Sequence, residues 1–278
     1  MYGVVTRNAE ELEWSAVDTG FYEVKDVTGR AAAPVATGVN MVSAFGDNAA
    51  VGDDPSLAAV DAEGRPATRE RPYFDWSYVC PTHDRYREGL LEIVDDCVEA
   101  TPHLRLDDVG FPRDGYCRCD RCDERFAASE FDDRTDWRAS VVTDFVTAVR
   151  ERVPGDLYLT LYPDPYPDHL RARSGVDVDA LAPMVDEFVV PLYDTAYGTT
   201  YWLETITKGF VSRLERVESR LGIELYAVDV DVDALVAATE VAEAYADGVY
   251  FGYDASNAVA AIRRRRADQQ EGVSHGES

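Results

Sequence analysis

The order of apolar segments along the chain is the feature that most constrains its fold. From about residue 100, short runs of β-branched, aromatic and aliphatic residues alternate with longer stretches of helical period. The short runs predict strands at residues 104–109, 157–162, 188–193, 225–230 and 248–253. The longer stretches predict helices at residues 136–153, 178–185, 201–221 and 233–245. Alternating strands and helices are typical of a parallel sheet covered by helices.

The first part of the chain shows the same alternation less clearly. Residues 37–45 predict a strand and residues 83–100 a helix, and residues 1–5 predict a strand followed by a helix at 8–14. Asn8 and Glu11 have the spacing of a capping box at the start of that last helix. We therefore predict an α/β fold, a (β/α)8 TIM-type barrel that is incomplete or irregular in its first units. An open doubly wound sheet is the alternative, but no glycine-rich turn follows the first strand.

The predicted domain organisation is one barrel domain over residues 1–266 and a disordered tail over residues 267–278. Residues 46–82 form an insertion rich in Gly, Pro and Asp between a strand and its helix. Within it, residues 57–61 and 73–79 flank a turn sequence at 63–66, which predicts a small hairpin. Because the first strand–helix units are poorly defined in the sequence, a barrel that is completed by a second copy of the chain is a further alternative.

Acidic residues dominate the charge of this 278-residue chain. There are 53 Asp and Glu against 27 Lys and Arg, which gives a net charge of −26. Only Lys25 and Lys208 are lysines, and this skew is typical of a halophilic protein, because concentrated salt screens the self-repulsion. The charge argues against nucleic-acid or anionic-membrane partners, whose binding requires clustered cations. Residues 1–12 contain no basic stretch followed by an apolar run, so we expect a cytoplasmic protein.

Three of the five cysteines lie within six residues, at Cys117, Cys119 and Cys122. Thiolates at this spacing can surround one soft divalent ion, and Cys80 is the best candidate for a fourth ligand. We therefore predict a structural Zn²⁺ site with four Cys ligands, which would join the end of the insertion to the loop after the strand at 104–109. Cys97 lies on the apolar face of its predicted helix and is assigned to the core. The competing interpretation is that the clustered thiols are unrelated and reduced.

These residues also carry a family resemblance. Cys80-Pro81, the helix beginning near Tyr86-Arg87, a strand ending in acidic residues, and Cys117-x-Cys119-x-x-Cys122 followed by Phe126 resemble the zinc-bearing β-galactosidases and the glycosyl-hydrolase barrels related to them. The resemblance covers residues 73–126. It implies that the strand before the cysteine loop is the fourth of the barrel and that Asp108 at its end is the general acid/base. Where the β-galactosidases have Asn-Glu, this chain has Asp107-Asp108.

Acidic residues follow the predicted strands independently of that resemblance. They are Asp107, Asp108, Asp164, Asp194, Asp229, Asp231 and Asp254. In a barrel these ends share the face on which active sites are built. Glycoside hydrolysis requires two carboxyl groups. The resemblance implies that the nucleophile lies at the end of the seventh strand, which makes Asp229 the leading second group, before Asp194. For any single Asp, a helix cap or a solvated surface position is the simpler interpretation.

Aromatic residues near the same strand ends are candidates for stacking against sugar rings. They are Trp76, Tyr162, Tyr193, Trp202 and Tyr253. Asn40, on the strand at 37–45, is a candidate for binding a sugar hydroxyl, although a hydrogen-bonded amide without a binding role fits equally well. Together these residues predict a glycoside hydrolase acting on a carbohydrate substrate. A possible homo-oligomer is also predicted.

Two other functions remain open. A non-catalytic carbohydrate-binding barrel would retain the zinc site and lack one catalytic carboxylate. A metal-dependent hydrolase would use the acidic face to bind a catalytic ion, but the four histidines include no His-x-His pair, so only an all-carboxylate site would serve.

Overall fold

The computed structural model describes residues 1–275 and shows a closed barrel of eight parallel strands. In chain order the strands are β1 (Tyr2–Thr6), β2 (Thr19–Lys25), β3 (Val39–Ser43), β4 (Leu104–Asp107), β5 (Leu157–Thr160), β6 (Glu187–Pro191), β7 (Arg220–Tyr226) and β8 (Gly248–Gly252). Each strand pairs with its neighbours in sequence, and β8 pairs with β1 to close the barrel. The predicted TIM-type barrel is confirmed, and the open sheet is wrong.

Long helices cover the outside of the barrel, and short helices lie in its loops. They are α1 (Asn48–Asp53), α2 (Asp84–Ala100), α3 (Asp120–Ala127), α4 (Arg134–Arg150), α5 (His169–Ser174), α6 (Val178–Leu181), α7 (Tyr201–Leu214), α8 (Val232–Glu243) and α9 (Ala255–His275), with two 3-10 helices at Ala9–Glu13 and Pro55–Leu57. The long helices pack their apolar sides on the strands; Leu90, Val94 and Cys97 of α2 are buried, as predicted for Cys97. Within residues 1–275, no helix has both the length and the apolar character needed to cross a bilayer.

The first two units are complete in strands but irregular in helices. After β1 there is only the 3-10 helix, whose first turn is capped by the Asn8 side chain accepting from the Glu10 N–H. After β2 the chain reaches β3 without a helix. Strand β2 was absent from the sequence prediction because the buried charged residues Glu23 and Lys25 interrupt its apolar pattern. Since the barrel closes within one chain, the idea that a second copy completes it is wrong.

The insertion at residues 46–82 is held by a few antiparallel bridges and does not form a regular hairpin. The Asp61 N–H donates to the Arg65 carbonyl at 3.0 Å, closing the predicted turn. Val60 bridges to Pro66 and Ala58 to Val79, while Gly46 bridges to Tyr78. The insertion therefore folds back beside β3, and Cys80 lies near its end.

The end of the chain continues as helix further than predicted. Helix α9 runs through residue 275, so the backbone of residues 267–275 is helical where a disordered tail was expected. The last three residues of that predicted tail lie outside the described residues. Arg264, Arg265 and Arg266 form ion pairs with Asp233, Glu243 and Asp18, and they anchor α9 to α8 and to the segment before β2.

Candidate functional site

Asp108 lies at the carboxyl end of β4, on the face where the predicted acids were expected to meet. Its backbone φ of 51° lies in the left-handed region, which turns the chain sharply after Asp107. The Ser43 hydroxyl at the end of β3 donates to Asp108 Oδ2 at 2.6 Å. A Cβ at Gly46 would lie 3.0 Å from Asp108 Oδ2 and 2.9 Å from the Trp76 indole nitrogen, so only glycine lets these groups approach. The buried Trp76 N–H has no hydrogen-bond partner within the described residues.

The surroundings of Asp108 favour its protonated form. Burial, followed by the negative charge of Asp107, raises the pKa of Asp108 to about 8, against the lowering effects of the Ser43 hydrogen bond and Lys25. Burial also raises the pKa of Asp107, whose Oδ1 accepts from the Asp108 N–H at 2.9 Å. Asp108 can therefore carry a proton at neutral pH, as a general acid must.

Strand β2 supplies two buried charged residues that the sequence prediction missed. Glu23 accepts a hydrogen bond from Arg7 Nε at 2.6 Å and another from the Tyr253 hydroxyl at 3.2 Å. Lys25 Nζ lies 3.1 Å from Asp47 Oδ2. Burial raises the pKa of Glu23 and lowers that of Lys25. The signal that could have revealed them is the pair of charged residues at alternate positions of an otherwise apolar segment.

A second missed carboxylate, Glu224, lies inside the barrel on β7. It is fully buried, forms an ion pair with Arg105 from β4 and accepts a hydrogen bond from the Tyr193 hydroxyl. The Arg105 guanidinium also donates to the Thr160 hydroxyl at 3.1 Å and lies 4.9 Å from the centre of the Phe21 ring. A buried charge costs several kcal/mol unless it is paired, and in this network Glu224 and Arg105 pair with each other.

The structure does not bring Asp229 to the site. Strand β7 spans Arg220–Tyr226, whereas the sequence predicted a strand at 225–230, so Asp229 lies three residues beyond the strand end. It is exposed and has a φ of 56°. Asp194 lies in the loop after β6, where its Oδ1 accepts from the Ala196 N–H at 3.0 Å.

Three other predicted acids accept hydrogen bonds from nearby backbone N–H groups. Asp231 caps α8, and Asp254 accepts from the Asn257 N–H at 2.9 Å near the start of α9. Asp164 accepts from the Tyr166 N–H at 3.1 Å and lies 3.1 Å from His169. For these three residues the simpler interpretation, a capping or turn role, describes the observed contacts.

The aromatic candidates divide between the site and its rim. Tyr193 and Tyr253 are 44% and 37% exposed, yet their hydroxyls contact Glu224 and Glu23, so their rings cover the buried acids. Tyr162 is 51% exposed, and the Arg173 guanidinium lies 3.9 Å from its ring centre. Trp202 is half-buried on α7 and packs against the outer core.

Asn40 lies outside the candidate site. Its side chain leaves the outer surface of β3, where Nδ2 donates to the carbonyls of Val35 and Cys97 at 3.1 and 3.3 Å and Oδ1 accepts from the Val35 N–H at 3.0 Å. The amide is completely buried. Because all its hydrogen-bonding atoms are used between β3 and α2, it is unable to bind a sugar on the strand-end face.

Four cysteines converge as the sequence predicted. The Sγ atoms of Cys80, Cys117, Cys119 and Cys122 all lie within 4.8 Å of one another, and Cys80 is 3.8 Å from Cys119 and 3.4 Å from Cys122. The Val60 N–H donates to Cys117 Sγ at 3.3 Å. Four thiol groups at these separations can hold a metal ion, since tetrahedral ligands about 2.3 Å from Zn²⁺ lie about 3.8 Å apart.

Comparisons with known proteins give structural matches only. No protein family and no curated protein matches the sequence. The barrel is similar to alpha-L-fucosidase isoenzyme 2 from Paenibacillus thiaminolyticus, with a TM-score of 0.67 and 15% identity over 94% of this chain and 45% of that one. It is also similar to the glycoside hydrolase domain of PelA from Pseudomonas aeruginosa, with a TM-score of 0.50 and 17% identity over 90% of this chain and 93% of that domain.

This chain thus spans less than half the length of the fucosidase that it matches. At these identities the likeness shows a shared fold. The chain has the barrel architecture of these glycoside hydrolases.

Proposed function

We propose that the protein is a glycoside hydrolase in which Asp108 protonates the leaving oxygen of a glycosidic bond. The observation that carries this proposal is a carboxyl group whose pKa is raised to about 8 at the end of β4. A general acid must be protonated at the working pH, and burial beside a second carboxylate is the usual way to achieve this. The glycosidase barrels that the fold resembles support the proposal.

The second carboxyl group in this proposal is Glu224, in place of Asp229 and Asp194. Its side chain forms an ion pair with Arg105 and accepts a hydrogen bond from Tyr193, whereas burial and the charge of Asp107 favour the protonated form of Asp108. Glycoside hydrolysis requires two carboxyl groups in different roles, one as the acid and one as the nucleophile or base. Because Tyr193 covers Glu224, the Tyr193 ring must turn aside when substrate enters. The negative charge of the neighbouring Asp107 raises the pKa of Asp108.

One observation favours a second function, a carbohydrate-binding barrel without catalysis. Glu224 is fully buried, and both its oxygens are occupied by Arg105 and Tyr193. If the Tyr193 ring does not move, no nucleophile reaches the sugar. The exposed rings of Tyr162 and Tyr193 and the unpartnered Trp76 N–H would then serve binding alone.

The experiment that separates these functions is a panel of glycosides assayed in molar KCl with the wild type, Asp108→Asn and Asp229→Asn. We expect hydrolysis by the wild type, a loss of at least about 100-fold with Asp108→Asn, and little change with the exposed Asp229→Asn control. Activity should fall as pH rises through about 8, because Asp108 then loses its proton. Hydrolysis unaffected by Asp108→Asn would contradict its role. Carbohydrate binding without turnover would support the binding barrel.

We further propose that the cysteine cluster holds a structural Zn²⁺. Four thiolates form a closed, soft donor set without an open position for water, so Cys80, Cys117, Cys119 and Cys122 would hold the ion and take no part in the reaction. The same set of residues supports the proposed relationship to the zinc-bearing β-galactosidases. The acidic composition supports a halophilic protein.

A further inference from the structure

Ser43 faces two hydrogen-bond acceptors with a single hydroxyl proton. Its Oγ lies 2.6 Å from Asp108 Oδ2 and 3.1 Å from the Gly46 carbonyl oxygen, and the residue is only 3% exposed. A hydroxyl donates one hydrogen bond and accepts up to two. At any moment, therefore, Ser43 donates either to Asp108 or to Gly46.

Which of these two acceptors receives the Ser43 hydrogen depends on whether Asp108 is protonated. When Asp108 is ionised, it can only accept, so Ser43 donates to it, and the 2.6 Å distance is that of a charge-assisted bond. When Asp108 is protonated, its own O–H donates to Ser43 Oγ, and the Ser43 hydrogen turns to the Gly46 carbonyl. Both states keep the Ser43 hydroxyl and Asp108 Oδ2 hydrogen-bonded to each other without moving a heavy atom.

Lys25 fixes the segment on which this exchange depends. Its ammonium group donates to the Ser43 carbonyl at 2.9 Å and the Gly46 carbonyl at 3.3 Å, and it contacts Asp47 Oδ2 at 3.1 Å. These three acceptors use all three N–H groups of a lysine that is 5% exposed. Lys25 thus has no donor left for Asp108, and it acts on Asp108 through its charge and through the position of Ser43.

We infer that Ser43 is a positioning residue that holds the Asp108 carboxyl in one place in both protonation states, and that Lys25 anchors the backbone carbonyls around it. The inference deepens the proposed function and rests on its assignment of Asp108 as general acid. Such an enzyme must protonate a leaving group and then stay aligned as a carboxylate. A hydroxyl that exchanges its direction of donation meets both requirements.

Several other groups face Asp108 and contribute to its titration. They are Asp107 from β4, Glu23 and Lys25 from β2, Tyr78 from the insertion and Tyr86 from α2. Asp47 contacts Lys25. The negative charges of Asp107 and Glu23 favour the proton on Asp108, and Lys25 opposes it. Ser43 is the group that hydrogen-bonds the ionised carboxyl directly.

The test is a carbon-13 NMR titration of the full chain labelled at the Asp carboxyls, with Asp108→Asn identifying the Asp108 resonance. In Ser43→Ala, both forms of Asp108 lose a hydrogen bond, but the ionised form loses the stronger, charge-assisted one, so we expect the pKa of Asp108 to rise by about one pH unit. Ser43→Thr keeps the hydroxyl and should restore the wild-type value. Ser140→Ala removes a hydroxyl that donates to a carbonyl within α4, and it should change nothing.

Two results would overturn the inference. If the Asp108 titration is the same in Ser43→Ala and the wild type, Ser43 does not hold the ionised carboxyl. If Lys25→Met, which replaces the charge with an apolar chain, leaves that titration unchanged in a folded protein, Lys25 is not its anchor. The titration needs no substrate, so a protein that shows the shift but hydrolyses no glycoside would contradict the proposed function and support the role of Ser43.

Discussion

Several charged residues are buried in this barrel. Arg105 and Glu224 lie inside it and form an ion pair, while Glu23 and Lys25 are buried on β2. Charged residues are rarely buried unless they are paired, because removing them from water costs several kcal/mol each. Each of these four residues accordingly has an opposite charge beside it, since Arg105 pairs with Glu224, Glu23 with Arg7 and Lys25 with Asp47.

Glu224 and Asp229 provide a direct comparison of a buried and an exposed carboxylate on the same segment. Glu224→Gln leaves the Arg105 guanidinium buried without its counter-ion, and we expect the free energy of unfolding to fall by about 3 kcal/mol or more. Asp229→Asn changes an exposed side chain and should alter it by less than about 0.5 kcal/mol. Urea unfolding of both variants measures the difference. Equal effects would show that the Arg105–Glu224 pair contributes nothing to stability.

At the scale of elements, the insertion is an irregular segment that ends at the cysteine cluster. It contains only short helices and isolated bridges, so few of its backbone groups are fixed by regular structure. Cys80 joins it to the three cysteines after β4, and the Arg118 N–H donates to the Val60 carbonyl at 2.8 Å. Gly46 and Trp76, which lie beside Asp108, belong to this insertion, so the proposed metal would hold a segment that also lines the proposed active site.

Removal of the metal should therefore loosen the insertion before it unfolds the barrel. By analogy with a covalent cross-link across a loop of similar length, we expect a loss of about 3 kcal/mol and a fall in Tm of roughly 6–12 °C. Limited proteolysis should cut within residues 46–82 after chelation or in Cys119→Ser. Cys97→Ser removes a thiol that is not in the cluster, and it should retain the metal. Metal-free protein that resists proteolysis as well as the wild type would refute a structural ion.

For the whole molecule, the net charge of −26 acts against compactness at low salt. Described ion pairs such as Arg264 with Asp233 are exposed and offset little of this repulsion. The long-range repulsion between unpaired acids is screened when the Debye length falls from about 10 Å at 0.1 M salt to about 3 Å at 1 M. KCl should thus stabilise this protein, whereas it has little effect on the stability of most proteins.

We expect Tm at pH 7 to rise by about 5 °C or more between 0.1 and 1 M KCl. The same comparison at pH 5 serves as the control, because protonation of carboxyl groups reduces the net charge and should reduce the salt effect. Chloride is preferred to sulfate, which stabilises most proteins by exclusion from their surface. A Tm that does not respond to KCl at pH 7 would contradict the halophilic interpretation.

Several features were determined by the sequence alone. The alternation of apolar runs predicted the barrel and seven of its strands, because parallel strands buried on both faces leave a strong local pattern. The cysteine spacing predicted the four-residue cluster, since three of its members lie close together along the chain. Asp108 was identified by its place before that cluster, and its position at the end of β4 agrees with the prediction.

The tertiary structure decided the rest. Strand β2 and the buried carboxylate Glu224 escaped prediction because a buried charge looks like a surface residue until its partner, distant along the chain, is known. The predicted boundary of β7 was shifted toward the C-terminus, and this made Asp229 look like a strand-end acid. In a chain with 32 Asp residues, sequence cannot separate a catalytic carboxyl from a helix cap. Only burial, neighbouring charges and hydrogen bonds distinguish them, and these arise from contacts between strands far apart in sequence.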